Sequence, residues 1–124
     1  MAGITASRLA LGGVLEAAGL RVAYDPGAVN PPGVLVTATD PWLTPTQLAT
    51  VSSALRWRVV AVAGRADVVV TLEDLEGLVS EVVVAVAALP DGWGRIAFDG
   101  PGTVDLGGAN YLAAVGRLDH LTEV

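Results

Sequence analysis

The chain has 124 residues, no cysteine, and thirteen acidic against seven basic side chains, for a net charge of −6. That length is enough for one domain with a sizeable core, and the missing cysteines exclude disulfides and thiolate metal sites. The negative balance argues against a dedicated DNA- or RNA-binding protein, which needs a basic face to meet phosphates.

Apolar residues make up 52% of the chain and charged residues 16%, where typical domains carry roughly 25% charged. Much of the surface must then be Ala, Val, Leu and Gly, and so apolar a skin predicts a permanent oligomer. Every base is an arginine (Arg8, Arg21, Arg56, Arg58, Arg65, Arg95 and Arg117). A lysine-free composition rich in Ala, Val and Gly fits coding from a GC-rich genome. The first residues lack a basic segment ahead of an apolar one, so no secretory signal is expected. The most apolar run, Leu78 to Leu89, is interrupted by Ser80 and Glu81 and is too short to span a bilayer. A soluble protein without membrane contact is expected.

Taken in order, Ile4 to Ala18 reads as a helix, with Ile4, Leu11, Val14, Leu15 and Ala18 on one stripe. Gly12 and Gly13 each cost such a helix about 1 kcal/mol relative to alanine. Either close packing or simple tolerance explains the pair. Gly19 fits a C-terminal cap. Leu20 to Tyr24 predicts a short strand, and Asp25-Pro26-Gly27 is turn chemistry. Asn30-Pro31-Pro32 forces extended backbone and removes two donors, which puts the strand Val34 to Thr39 late in the sheet or at its edge.

Asp40 to Thr50 reads as a polar, proline-marked connection. Thr44-Pro45 could open a helical turn through Gln47-Leu48, and Trp42 in it either folds over the core or contacts a partner. Val51 to Ala63 is the longest strand signal. Val51, Leu55, Trp57, Val59 and Ala61 share one face, and Arg56 and Arg58 share the other. Leu48, Val51 and Leu55 also fit a helix running on from Thr44. The arginine pair is either a solvated face or an intersubunit or lumen-lining site.

After a turn over Gly64 to Val70, Thr71 and Asp74 have the spacing of a capping box, and acids suit a helix start. Leu75, Leu78, Val79, Val82, Val83, Val86 and Leu89 follow as a broad stripe, ended by Pro90. Its valines mean that packing rather than propensity must hold the helix. Trp93 to Asp99 reads as a strand with Ile96 and Phe98 inward, Gly100 to Gly108 as a loop, and Asn110 to Leu118 as a last strand. The expected fold is a single α+β domain over residues 1–124. It has a mainly antiparallel sheet and two main helices on one face, in the order helix, three strands, helix, two strands.

Residues that could carry chemistry are sparse. His120 is a lone histidine, expected at the surface, with no His or Cys companion for a metal. Ser7, Ser52, Ser53 and Ser80 lack a nucleophile-elbow setting, and a Ser-His-acid triad would have to use His120. No glycine run has the phosphate-cradling spacing with its lysine. Glu73, Asp74 and Glu76 could form a divalent-metal site, but capping and dipole effects account for them. No enzyme activity, cofactor or metal is expected.

The stretch from Leu15 to Thr39 is the most specific in the chain. It runs Leu-Glu-Ala-Ala-Gly-Leu-Arg-Val, then Tyr-Asp-Pro, then Asn-Pro-Pro-Gly-Val-Leu-Val. It resembles the tail terminator proteins of long-tailed, siphovirus-type bacteriophages, above all those of phages infecting GC-rich actinobacteria. The order of predicted elements is similar as well. The resemblance implies a structural virion protein of the tail and neck, assembled in the host cytoplasm. It implies a ring of identical subunits, typically a hexamer, on the head-proximal end of the tail tube. There it stops polymerisation of the major tail tube protein and presents a surface to the head-to-tail neck protein. DNA passes its lumen without specific binding.

In that setting Arg56 and Arg58 are candidates to reach Glu73 or Glu76 of a neighbouring subunit. Asp25, Pro26, Asn30, Pro31, Pro32 and Trp42 are candidate contacts with tube or neck, since loops carry interaction surfaces. Two other readings stay open: a head-side stopper or adaptor, and a non-viral binding module.

Overall fold

The computed structural model describes residues 3–45, 52–66 and 71–123, which form two α-helices and six strands. Helix α1 (Gly3–Ala17) buries Ser7, Leu11, Gly12 and Leu15, positions that fall on one helical stripe. It stops at Gly19, whose φ of 86° lets the Leu20 and Gly19 N–H groups return to the Leu15 and Glu16 carbonyls at 3.2 and 2.9 Å. This is the paired closure that a left-handed glycine makes possible.

The strand expected over Leu20 to Tyr24 shortens to β1 (Val22–Ala23), which runs parallel to the next strand. A 3-10 turn (Pro26–Ala28) follows, capped by Asp25, whose carboxylate accepts from the Gly27 N–H at 3.0 Å. β2 (Gly33–Pro45) then pairs antiparallel with β3 (Ser52–Arg65), from Gly33 opposite Val62 to Pro45 opposite Ser53. β2 is therefore second in the sheet where β1 flanks Val34 and Leu35, and among the described residues forms the edge of the sheet beyond them, as expected.

The connection expected from Asp40 belongs in its first part to β2. Thr44 and Pro45 stand opposite Ala54 and Ser53 instead of opening a helix. Beyond Leu35 the outer side of β2 has no strand partner among the described residues, so a proline there sacrifices no ladder donor. Between Ala38 and Leu43 the chain takes five steps against two on β3, from Trp57 to Leu55. That irregularity contains the cis Asp40-Pro41 peptide and Trp42. Gln47, Leu48 and the start of the predicted strand at Val51 lie outside the described residues, as does most of the Gly64 to Val70 turn.

Helix α2 (Leu72–Val86) begins with the predicted capping box: the Thr71 hydroxyl accepts from the Asp74 N–H and the Asp74 carboxylate from the Thr71 N–H, at 3.1 and 3.2 Å. It buries Leu75, Leu78, Val82 and Ala85. Val83, expected inward, is 44% exposed, and helical spacing gives its place to Ala85. The helix ends at Val86, before Pro90.

β6 (Ala109–Glu123) pairs with β3 over nearly its whole length, well past the predicted end at Leu118. Its other side carries β4 (Ala97–Phe98), β5 (Gly102–Leu106) and a bridge from Trp93 to His120. The strand expected from Trp93 to Asp99 is thus mostly irregular. The stretch read as a loop holds β5 instead. Gly107 and Gly108, at φ 61° and 87°, form the two-residue turn of a β5–β6 hairpin, which needs positive φ at both positions. The sheet order is β1-β2-β3-β6-β4, with β5 beside β6.

Both helices cover one face of the sheet, and the α+β class and element order are those expected from the sequence. Leu11, Leu15, Val82 and Ala85 pack on Val34, Val36, Leu55, Trp57, Val59 and Leu118, and Leu75 and Leu78 pack on Ala61 and Ala114. Each fully buried leucine or valine contributes about 1.5–3 kcal/mol. The opposite face is covered over half its extent. Leu35, Val60, Val62 and Ala113 lie under Leu106 and Ala23, where the β5–β6 turn crosses to the Asp25 loop. A Cβ on Gly107 would come 3.3 Å from the Gly27 Cα. Over the other half of that face no described element packs.

Candidate functional site: an open arginine face opposite an acidic helix

Strand alternation sends Leu55, Trp57 and Val59 under the helices and Arg56 and Arg58 to the open half of the far face. Arg117 stands directly opposite Arg58 in the β3–β6 ladder, and Asp119 opposite Arg56. Two like charges directly across a strand pair destabilise it, and the neighbouring acids relieve this unevenly. Arg117 Nη1 donates to Asp99 Oδ2 at 2.7 Å, and Arg56 Nε lies 3.8 Å from Asp119 Oδ1, with its Nη1 reaching Thr44 Oγ1 at 3.5 Å. Among the described residues no acid pairs with Arg58, and its buried Nε has no hydrogen-bond acceptor. The pairs that do form are exposed, with side chains 36–62% accessible, and such pairs are worth at most about 1 kcal/mol.

Glu73 and Glu76 lie on α2, on the other side of the sheet. Within one subunit the sheet itself separates them from Arg56 and Arg58. Asp74 turns back to cap the helix, while Glu73 and Glu76 are exposed. Glu73, Asp74 and Glu81 line an open cleft of about 730 Å³ between α2 and the α1–β1 corner, where Arg21 is the one base. Among the described residues no group of three or more His, Cys, Asp or Glu is arranged to hold a metal ion, and no helix is long and apolar enough to cross a membrane.

The other candidates divide into two places. Asp25, Pro26, Asn30 and Pro32 are exposed and Pro31 is half-buried on the loop before β2. Trp42 sits near the far end of β2, roughly 20 Å away by the rise along the paired residues of β3. It is 44% exposed, and its ring meets that of Trp57 edge-on at 6.2 Å and 72°. Trp42 therefore covers the core and also presents a ring face outward.

Sequence reasoning missed a polar group inside the domain. Ser7, 2% exposed on α1, accepts from Trp57 Nε1 at 2.9 Å, and its Oγ lies 2.7 Å from His120 Nδ1. An indole N–H only donates. The Ser7 hydroxyl proton is then free to go to Nδ1, leaving the neutral imidazole protonated at Nε2. His120 is half-buried rather than a surface residue, and stacks on Trp93 with centroids 3.9 Å apart at 6°. Burial lowers its pKa below the ordinary value of 6.5.

Serine beside histidine is the start of a nucleophile-base pair, but this serine points into the core. No carboxylate orients the histidine among the described residues, and no path for a substrate carbonyl leads to Oγ. The arrangement holds three elements together. The signal available in sequence was an interior serine on an otherwise apolar helix stripe.

No family model matches the chain, and a search of curated proteins returns no significant relative.

Proposed function

We propose that the chain is a tail terminator of a long-tailed bacteriophage, a structural virion protein without catalytic activity. It closes as a ring, six-fold as the resemblance implies, on the head-proximal end of the tail tube, where it halts tube polymerisation and joins tail to head. The observation that carries this reading is the order of elements. A helix turns at Gly19 into a short strand, a proline loop and the long β2–β3 pair, then come a capped helix and closing strands. This is the order that the resemblance of Leu15 to Thr39 implies.

Two further features support it. The Asp25 to Pro32 loop and Trp42 occupy opposite ends of β2, as contacts toward tube and neck require. The net charge of −6 also suits a ring whose lumen lets DNA pass without holding it. The test is polymerisation of the cognate major tail protein with and without this protein, imaged by negative stain. Tubes capped at one end and arrested in length are expected. Tubes that grow without limit sink the proposal, and binding to the portal complex instead of the tube would move the protein to the head side of the neck.

A further inference from the structure

We propose that the open arginine face of one copy seats the acidic first half of α2 of the next copy, in a head-to-tail contact centred on Arg58 and Glu76. Each surface keeps charge that its own chain meets only in part: Arg56 and Arg117 have acids but Arg58 does not among the described residues, and on α2 Glu73 and Glu81 share a cleft with Arg21 while Glu76 lies outside it. Arg58 faces Arg117 across the ladder, has no acid among the described residues, and has a buried Nε without an acceptor. No arginine or lysine occurs from Ala66 to Gly94, so Glu73, Glu76 and Glu81 have no basic neighbour on their own element.

The two charge rows also match in pitch. Residues two apart on a strand are separated by about 7 Å, and residues three apart on a helix by about 5–6 Å between Cβ atoms. Arg56 and Arg58 can therefore meet Glu73 and Glu76 side by side. Each row has an exposed apolar neighbour to exclude water, Leu121 at 56% beside the arginines and Leu72 at 52% beside the acids.

A nucleic acid is a poorer occupant of this face. Asp99 and Asp119 flank the arginines, which leaves one uncompensated cation where a phosphate backbone needs several. Because the complementary surfaces lie on opposite sides of the sheet, the contact cannot be two-fold. It joins unlike patches and repeats, closing into a ring when the rotation per subunit allows. The proposal deepens the terminator reading and rests on it only for that closure.

The experiment is a charge swap read by native mass and sedimentation of the purified full chain at low and high salt. The wild type is expected to assemble, with affinity falling as salt rises. Arg58→Glu and Glu76→Arg should each weaken assembly at least about tenfold while circular dichroism stays unchanged. The double variant Arg58→Glu/Glu76→Arg should restore it. A monomeric wild type, single variants that assemble normally, or a double variant that stays apart overturns the interface. So does wild-type binding to duplex DNA that Arg58→Glu abolishes without any self-association. The tube assay separates the two readings. Arrested tubes without rescue by the swap reject this contact alone, and rescued rings that fail to arrest tubes reject the terminator alone.

Discussion

Ser7 Oγ and His120 Nδ1 lie 2.7 Å apart although 113 positions separate them in the chain. Through Trp57, which donates to the same oxygen, that contact ties α1 to the two longest strands. The Trp57–Ser7 bond is buried and leaves no spare acceptor for the indole, while His120 is half-buried.

Replacing Ser7 by alanine should therefore cost more than a lost methyl-sized contact. Trp57 Nε1 would be left buried without an acceptor, a penalty of about 1–3 kcal/mol. Urea unfolding of Ser7→Ala against wild type measures it, and a loss under about 0.5 kcal/mol would show that the bond contributes little.

His120 gives the fold a dependence on pH whose direction is set. Burial lowers its folded pKa below the unfolded value, so the native state binds fewer protons. Its contribution is complete above the ordinary value of about 6.5 and is lost as pH falls through that value toward the folded one. Between about pH 7.5 and 5.5, above the range of ordinary carboxylates, wild-type stability should fall. His120→Phe, which keeps a ring on Trp93 and has no proton to gain, should remove that slope. Equal slopes in the two proteins would refute the assignment.

The two adjacent glycines of α1 should behave differently. A Cβ at Gly12 would overlap the Tyr24 ring, whereas nothing lies within 4 Å of one at Gly13. Gly13→Ala should stabilise by about 1 kcal/mol through helix propensity. Gly12→Ala should show no such gain, because Tyr24 must leave α1 and its contact with Arg8, 5.4 Å from the ring centroid. Thermal melts decide, and equal gains would mean that Tyr24 does not pack there in solution.

Trp42 separates a core role from a contact role. Its edge-on pairing with Trp57 is worth about 0.5–1.5 kcal/mol beyond buried area, so Trp42→Ala should remain folded. If the terminator proposal holds, the same variant should arrest tube growth less efficiently at equal concentration. Unchanged arrest would remove Trp42 from the contact surface.

The elements legible in the sequence are those written in local periodicity. The leucine-valine stripe and the Thr71–Asp74 box announce α2, and the alternation around Trp57 announces β3. Proline misled the reading of β2, because Pro41 and Pro45 look like strand breakers until one knows that their side of the strand needs no donor. β5 was hidden in a glycine-rich stretch, although Gly107-Gly108 is itself a hairpin turn signal. Of the candidate site, the shared face of Arg56 and Arg58 followed from alternation alone. The ion pairs of Arg56 and Arg117, and the absence of one at Arg58, depend on cross-strand register. The Ser7–His120 bond depends on where β6 lies under α1, and no local pattern records that.

β6 follows every other element in the chain and nonetheless sits inside the sheet, with β3 on one side and β4 and β5 on the other. Until it is in place, β4 and β5 have no ladder, Trp93 has no imidazole to stack on, and the inner edge of β3 is bare. A chain interrupted before Ala109 lacks Ala114 and Leu118, which the core under the helices is packed against. Pairing across so many intervening residues also makes folding slow relative to helical proteins of this length. The order of synthesis thus acts as an inspection step, since a chain that stops short of β6 leaves its core unsealed.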